Sequence, residues 1–118
     1  MEIWKDFAFE AAHHLPEVPE GNKCRRLHGH SYRVRVYVEG ELDPTLGWVV
    51  DFAEIRETCE PIRQQLDHYY LNEIDGLENP TAENLAKWIW NRLKPELPML
   101  SRIEISETCT SGCTYTGD

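Results

Sequence analysis

The sequence predicts an α+β domain with the element order β-β-α-α-β-β. Three observations carry this. Residues 2–13 and 31–39 alternate apolar and polar side chains with period two, the pattern of a half-buried strand. The stretches opening at Asp51 and Thr81 space their apolar residues three and four apart, the stripe of an amphipathic helix. Residues 100–108 then return to alternation. Two helices set between strand pairs cover one face of an antiparallel sheet. At 118 residues the chain is expected to be one domain, 1–118, long enough to bury a core without a metal staple.

In the first strand Ile3, Phe7, Phe9, Ala11 and His13 share a face, with Lys5 the exception. Residues 14–27 hold Pro16, Pro19 and Gly21 and read as a loop long enough to be functional. The second strand puts Tyr32, Val34, Val36 and Val38 on one face, and the same parity runs back to His30 and His28. Gly40 to Gly47 is a turn region, and Trp48-Val49-Val50 a short extended piece. Asp51 caps the first helix, with Glu54 at the capping-box position. Its stripe is Phe52, Ile55, Cys59, Ile62 and Leu66, and Pro61 is expected to kink or divide it.

Thr81 is the N-cap of the second helix, whose buried stripe is Leu85, Ile89 and Leu93; Pro95 and Pro98 end it. The third strand places Glu107 on the face of Ile103 and Ile105, where an unpaired charge is costly to bury. Gly112 marks a turn before a short fourth strand, Cys113 to Thr116. The opposite sheet face carries Arg33, Arg35, Tyr37, Arg102 and Glu104. Four short strands leave exposed edges, which suits assembly into a closed multi-subunit sheet.

A net charge of -9 argues against nucleic-acid binding, which rests on phosphate neutralisation. Yet Lys23, Arg25, Arg26, Arg33 and Arg35 fall close together, and such a local positive spot suits a small anionic ligand. No apolar run approaches the ~20 residues of a membrane span. Met1 leads directly into strand pattern with no signal-peptide composition, so a cytoplasmic location is expected, with Cys24, Cys59, Cys109 and Cys113 as thiols.

The chemistry concentrates at Lys23–His30. Residues two apart on a strand point the same way, about 6.6 Å apart, so His28 and His30 can converge on one metal ion. If the first two strands pair antiparallel, His13 arrives beside them. Three imidazoles with an open fourth position are a catalytic zinc arrangement. His14 has the opposite parity and is set aside. Cys24 keeps two readings: a fourth ligand closing a structural site, or a nearby thiolate that Lys23, Arg25 and Arg26 favour. A third pairing, with Cys109 and Cys113, has loose spacing for a zinc knuckle. Asp67-His68 suggests a carboxylate beside a proton-transfer histidine. Glu107 could satisfy a buried partner or accept two parallel N–H groups of a guanidine-like ligand edge.

Taken together, these motifs resemble the 6-pyruvoyltetrahydropterin synthase family. The carriers are Phe9-Glu10-Ala11-Ala12-His13, Cys24-Arg25-Arg26-Leu27-His28-Gly29-His30-Ser31-Tyr32, Val50-Asp51-Phe52, Leu66-Asp67-His68-Tyr69-Tyr70-Leu71-Asn72, Asn79-Pro80-Thr81-Ala82-Glu83-Asn84 and Glu107-Thr108-Cys109-Thr110-Ser111-Gly112-Cys113. They run in family order over nearly the whole chain, which is most similar to the bacterial 6-carboxytetrahydropterin synthase branch of queuosine and deazapurine synthesis. The resemblance implies the tunnelling fold, joined into a barrel around a trimer, with two rings stacking as a homohexamer. It implies Zn2+ on His13, His28 and His30, Cys24 as catalytic base, and His68 with Asp67 as proton-transfer groups. It makes Glu107 the pterin anchor, linked to the proton relay. The substrate implied is 7,8-dihydroneopterin triphosphate, with Lys23 the nearest cation for the phosphates. A 6-pyruvoyl product and a non-catalytic zinc module remain the alternatives.

Overall fold

The computed structural model describes residues 1–108 and 110–118, with Thr108 by its backbone alone. Four strands form one antiparallel sheet in the order β1-β2-β3-β4. Strand β1 (Glu2–His13) pairs with β2 (His28–Glu39) in unbroken register, from Glu2 opposite Glu39 to His13 opposite His28. β2 thus starts earlier than the Ser31–Glu39 alternation suggests, because Gly29 lies opposite Ala12 and keeps the ladder intact. Helix α1 (Phe52–Leu66) and helix α2 (Ala82–Leu93) follow, then β3 (Leu100–Thr108) and β4 (Ser111–Tyr115). The ladder slips between Tyr37 and Val38 and between Ser106 and Thr108.

Both helices lie on one sheet face, α1 against β1 and α2 against β3 and β4. The core between them is Phe9, Ala11, Tyr32, Val34, Val36, Val38, Ile103 and Ile105 from the sheet, with Ile55, Cys59, Ile62, Leu66, Leu85, Ile89 and Leu93 from the helices. These are the stripes the alternation and the 3-4 spacing select. The Asp51 carboxylate accepts the Ala53 N–H at 2.9 Å, and the Thr81 hydroxyl oxygen accepts the Asn84 N–H at 3.1 Å, so both helix starts are capped.

Four local expectations are corrected. Phe52 is 52% exposed, because it sits in the first turn before the stripe reaches the sheet. Pro61 does not divide α1: it lies on the exposed side, where the helix carbonyl that loses its partner meets solvent. Trp48–Val50 forms bends, not a strand. Gly112 lies within β4 and not in a turn; glycine is needed there because a Cβ would lie 2.4 Å from the Ile105 carbonyl oxygen.

The opposite sheet face is a charged and aromatic lattice. Arg35 donates to Asp6 at 2.8 Å and stacks over Trp4, while Arg102 stacks over Tyr37 and donates to Glu2 at 2.6 Å. Among the described residues no helix is long and apolar enough to cross a membrane.

Candidate functional site

Strand pairing assembles the histidines. His13 and His28 are directly opposite, and His30 lies opposite Ala11, so all three imidazoles emerge at one end of the sheet on the helix-covered face. One ring nitrogen from each lies within 4.8 Å of the others. His13 is 1% exposed, His28 and His30 half-buried.

The polar partners of these rings decide which nitrogens are free. His13 Nδ1–H donates to the Pro80 carbonyl at 2.8 Å, and His28 Nδ1–H donates to the Arg26 carbonyl at 2.7 Å. A carbonyl can only accept, so both Nδ1 atoms carry the proton and both Nε2 atoms are bare in the neutral rings. Those two Nε2 atoms face each other at 3.0 Å. Two lone pairs at that distance repel unless a cation lies against them. Two Zn–N bonds of about 2.0–2.1 Å at a tetrahedral angle would set the nitrogens roughly 3.3 Å apart. The donor set therefore fits a divalent metal with three protein ligands. Burial is the main force lowering the His13 pKa to about 4, with the neighbouring imidazoles adding to it against the Pro80 hydrogen bond. His13 is thus neutral and ligand-ready at neutral pH.

Tyr32, which the alternation marks only as core, belongs to the support of this centre. Its hydroxyl lies 3.1 Å from His13 Nδ1, its ring stacks on Phe9 at 4.8 Å, and burial raises its pKa so that it stays neutral. Glu107 continues the apolar face of β3 as expected and meets His30, with 3.8 Å between Oε2 and Nε2. Two depressions flank this contact. One groove of ≈ 570 Å³ is bordered by Glu10, His30, Ser31, His68 and Tyr70. The other, ≈ 310 Å³, holds Glu107 with Leu15, Thr81, Glu83 and Cys113.

Cys24 sits half-buried in a single 3-10 turn, Lys23–Arg25, outside the three-imidazole cluster. Its N–H is held by the Asn22 side chain at 2.9 Å, and its carbonyl accepts the Leu15 N–H at 2.7 Å. The Arg25 guanidinium donates to the carbonyls of Pro16 and Val18, tying the 14–27 loop to the turn. Lys23 and Arg26 are exposed. Cys113 is half-buried, its pKa raised mainly by desolvation and further by Glu83 and Glu107; Cys109 lies outside the described residues.

Asp67 and His68 follow the end of α1. Their side chains do meet, with Asp67 Oδ2 3.0 Å from His68 Nδ1. The adjacency works because His68 takes a left-handed conformation, φ 65°. For a residue with a side chain this costs roughly 1–2 kcal/mol, and the surroundings enforce it: the His68 N–H donates to the Glu10 carbonyl at 2.6 Å. The Glu10 N–H donates to Asp67 Oδ1 at 2.9 Å. That backbone bond, followed by the His68 contact, holds the Asp67 carboxyl below the usual carboxylate range. Beyond His68, Ala12 N–H donates to the Tyr69 carbonyl, and the Asn72 amide both accepts from the His14 N–H at 3.0 Å and donates to the His14 carbonyl at 2.9 Å. His14 lies outside the three-imidazole group, and its side chain pairs with the Tyr70 hydroxyl at 2.5 Å. The segment after α1 is therefore laced along the histidine-bearing end of β1.

The model of one family, 6-pyruvoyl tetrahydropterin synthase, matches residues 2–118. The chain belongs to this family. It is 49% identical to the 6-carboxy-5,6,7,8-tetrahydropterin synthase of Synechocystis, over 96% of this chain and 91% of that protein. It is 38% identical to the dihydroneopterin monophosphate aldolase of Pyrococcus furiosus over 77% of this chain and 73% of that protein. With the human 6-pyruvoyl tetrahydrobiopterin synthase it shares 36% identity over 77% and 67%. Among solved structures, the 6-pyruvoyl tetrahydropterin synthase of Caenorhabditis elegans superposes with a TM-score of 0.92 at 28% identity, over all of this chain and 96% of that one. The four-stranded sheet with two helices is thus the tunnelling fold of the family.

Proposed function

We propose that the chain, acting as one domain over 1–118, is a zinc-dependent lyase. It converts 7,8-dihydroneopterin triphosphate to 6-carboxy-5,6,7,8-tetrahydropterin, consuming water and releasing acetaldehyde and triphosphate, in cytoplasmic queuosine (7-deazapurine) synthesis. The observation that carries this reading is the three-imidazole cluster with both Nδ1–H groups committed to carbonyls and Cys24 left outside it. The full-length likeness to a named 6-carboxy-5,6,7,8-tetrahydropterin synthase supports the product.

His13, His28 and His30 hold the zinc, which when bound supplies Lewis-acid polarisation of the substrate side-chain oxygens. Cys24 is the base that takes a proton from the carbon side chain. His68, its Nδ1 directed to Asp67, moves a second proton through Nε2. Glu107 accepts the paired N–H groups of the pterin edge, a bidentate arrangement a carboxylate suits. Lys23, which is exposed, meets the triphosphate. The catalytic unit is a homohexamer, two stacked trimers closed through the exposed edges of β1 and β4.

The 6-pyruvoyl product is the second reading, because the human relative of that name shares 36% identity over 77% of this chain. Mass analysis after incubation with dihydroneopterin triphosphate separates the two. Triphosphate leaves in both reactions; acetaldehyde appears only with the carboxy product, whereas the pyruvoyl product retains all three side-chain carbons.

A further inference from the structure

His68 needs an orientation that its own surroundings barely provide. Its side chain is 79% exposed, and the ring's one ion-pair contact among the described residues is Asp67. The direction of the imidazole is therefore only as well fixed as the Asp67 carboxylate. Oδ1 is held by the Glu10 N–H, which leaves Oδ2 free to swing about that bond. Arg63, one turn back on α1, closes that freedom.

Its guanidinium has three anchors on three directions. Nε–H donates to the Ala8 carbonyl on β1 at 3.0 Å, Nη1 to Glu60 at 3.2 Å, and Nη2 approaches Asp67 Oδ2 at 3.5 Å. The fork is planar and rigid, so fixing Nε on the sheet and Nη1 on the helix dictates where Nη2 points. Arg63 is also the cation among several acids and rings. Glu60 lies on its own helix and Glu10 on β1, the latter paired with Ser31 of β2 at 2.7 Å. His30, Tyr69 and Tyr70 border the same groove as His68.

We infer that Arg63 is a positioning residue for His68, acting through the Asp67 carboxylate. It holds Oδ2 where His68 Nδ1 meets it, and so aims His68 Nε2 at the proton it transfers. The catalytic part of this rests on the proposed role of His68; the positioning part does not. The mechanism requires no particular subunit arrangement, because all three residues belong to one helix end.

The test is a double-mutant cycle on the zinc-loaded protein, using Arg63→Gln alone and with Asp67→Asn, with Arg63→Lys as the conservative variant. Misplaced catalytic groups cost rate steeply, so Arg63→Gln should lower kcat about tenfold with KM within about twofold. In the Asp67→Asn background the same change should alter kcat by less than about twofold, and Arg63→Lys should recover part of the loss. An equal loss in both backgrounds, or a loss expressed in KM, overturns the inference. A second readout is independent of turnover: the 15N signal of His68 Nδ1 should move in Arg63→Gln. If it stays at its wild-type position, the positioning role is refuted. If His68→Ala turns over normally, the proposed function fails at that residue while the nitrogen signal still decides the role of Arg63.

Discussion

Replacing Cys24 by alanine separates catalysis from metal binding. The thiol lies outside the set of ring nitrogens gathered within 4.8 Å, and its turn is held by backbone and Asn22 contacts that survive loss of the side chain. Zinc affinity should therefore change by no more than about threefold, since even outer partners of a metal site cost 10–100-fold when they matter. Turnover should fall by about 10²–10⁴, the usual contribution of a general base, or roughly 3–5 kcal/mol of barrier. Zinc at about 100 times its dissociation constant adds about 2.7 kcal/mol of stability, which raises the melting temperature by several degrees. Cys24→Ala should keep that increment. The assays are zinc content after dialysis against graded chelator, thermal melts with and without zinc, and the initial rate of acetaldehyde release. A more than tenfold loss of zinc affinity together with loss of the thermal increment would refute the reasoning and make the site a closed structural one.

Three further outcomes follow from the geometry. Phe9 is 2% exposed and stacks on Tyr32, so Phe9→Ala should cost about 3–5 kcal/mol in urea unfolding; a loss below 1 kcal/mol would contradict that packing. The Asp67 pKa is depressed in the folded state, mainly by the Glu10 N–H, so its stabilisation is complete above the ordinary value of about 3.9 and vanishes as pH falls through the lower folded value. The stability gap between wild type and Asp67→Asn should accordingly close in strong acid, and a gap constant from neutral pH to pH 2 would be inconsistent with it. Burial pushes the Cys59 thiol up to about 12, so native-state alkylation should spare Cys59 while labelling half-buried Cys24; equal labelling rates would show that α1 opens.

Much of this arrangement is legible in the sequence because strand parity is rigid. His13, His28 and His30 meet since period-two alternation and antiparallel pairing leave them nowhere else to point, and the register bears this out. The core stripes of both helices follow from the same kind of repeat. What escapes is whatever depends on contacts between distant segments or on backbone detail. The bonds by which Arg25 ties the 14–27 loop to its turn are invisible in the sequence, because a loop's hydrogen bonds leave no periodic trace. His14 is set aside by parity, yet its backbone pairs with the Asn72 amide and joins two segments 58 residues apart. The Asp67-His68 contact requires a positive φ at a non-glycine residue, which no propensity signals. In the sequence the pair is marked by the neighbouring Asp and His and by the family resemblance, not by any backbone signal. Glu107 was traceable through one oddity, a carboxylate continuing an apolar strand face. Tyr32 was hidden by the same logic in reverse, an apolar position whose hydroxyl serves the buried His13.

The central claim is a zinc-dependent cleavage of a pterin side chain, and product analysis reaches it most directly. Zinc-loaded protein incubated with 7,8-dihydroneopterin triphosphate should release acetaldehyde and triphosphate in equal amounts with 6-carboxy-5,6,7,8-tetrahydropterin, and the chelated protein should release neither. Triphosphate without acetaldehyde, or the same turnover after zinc is removed, would contradict the account.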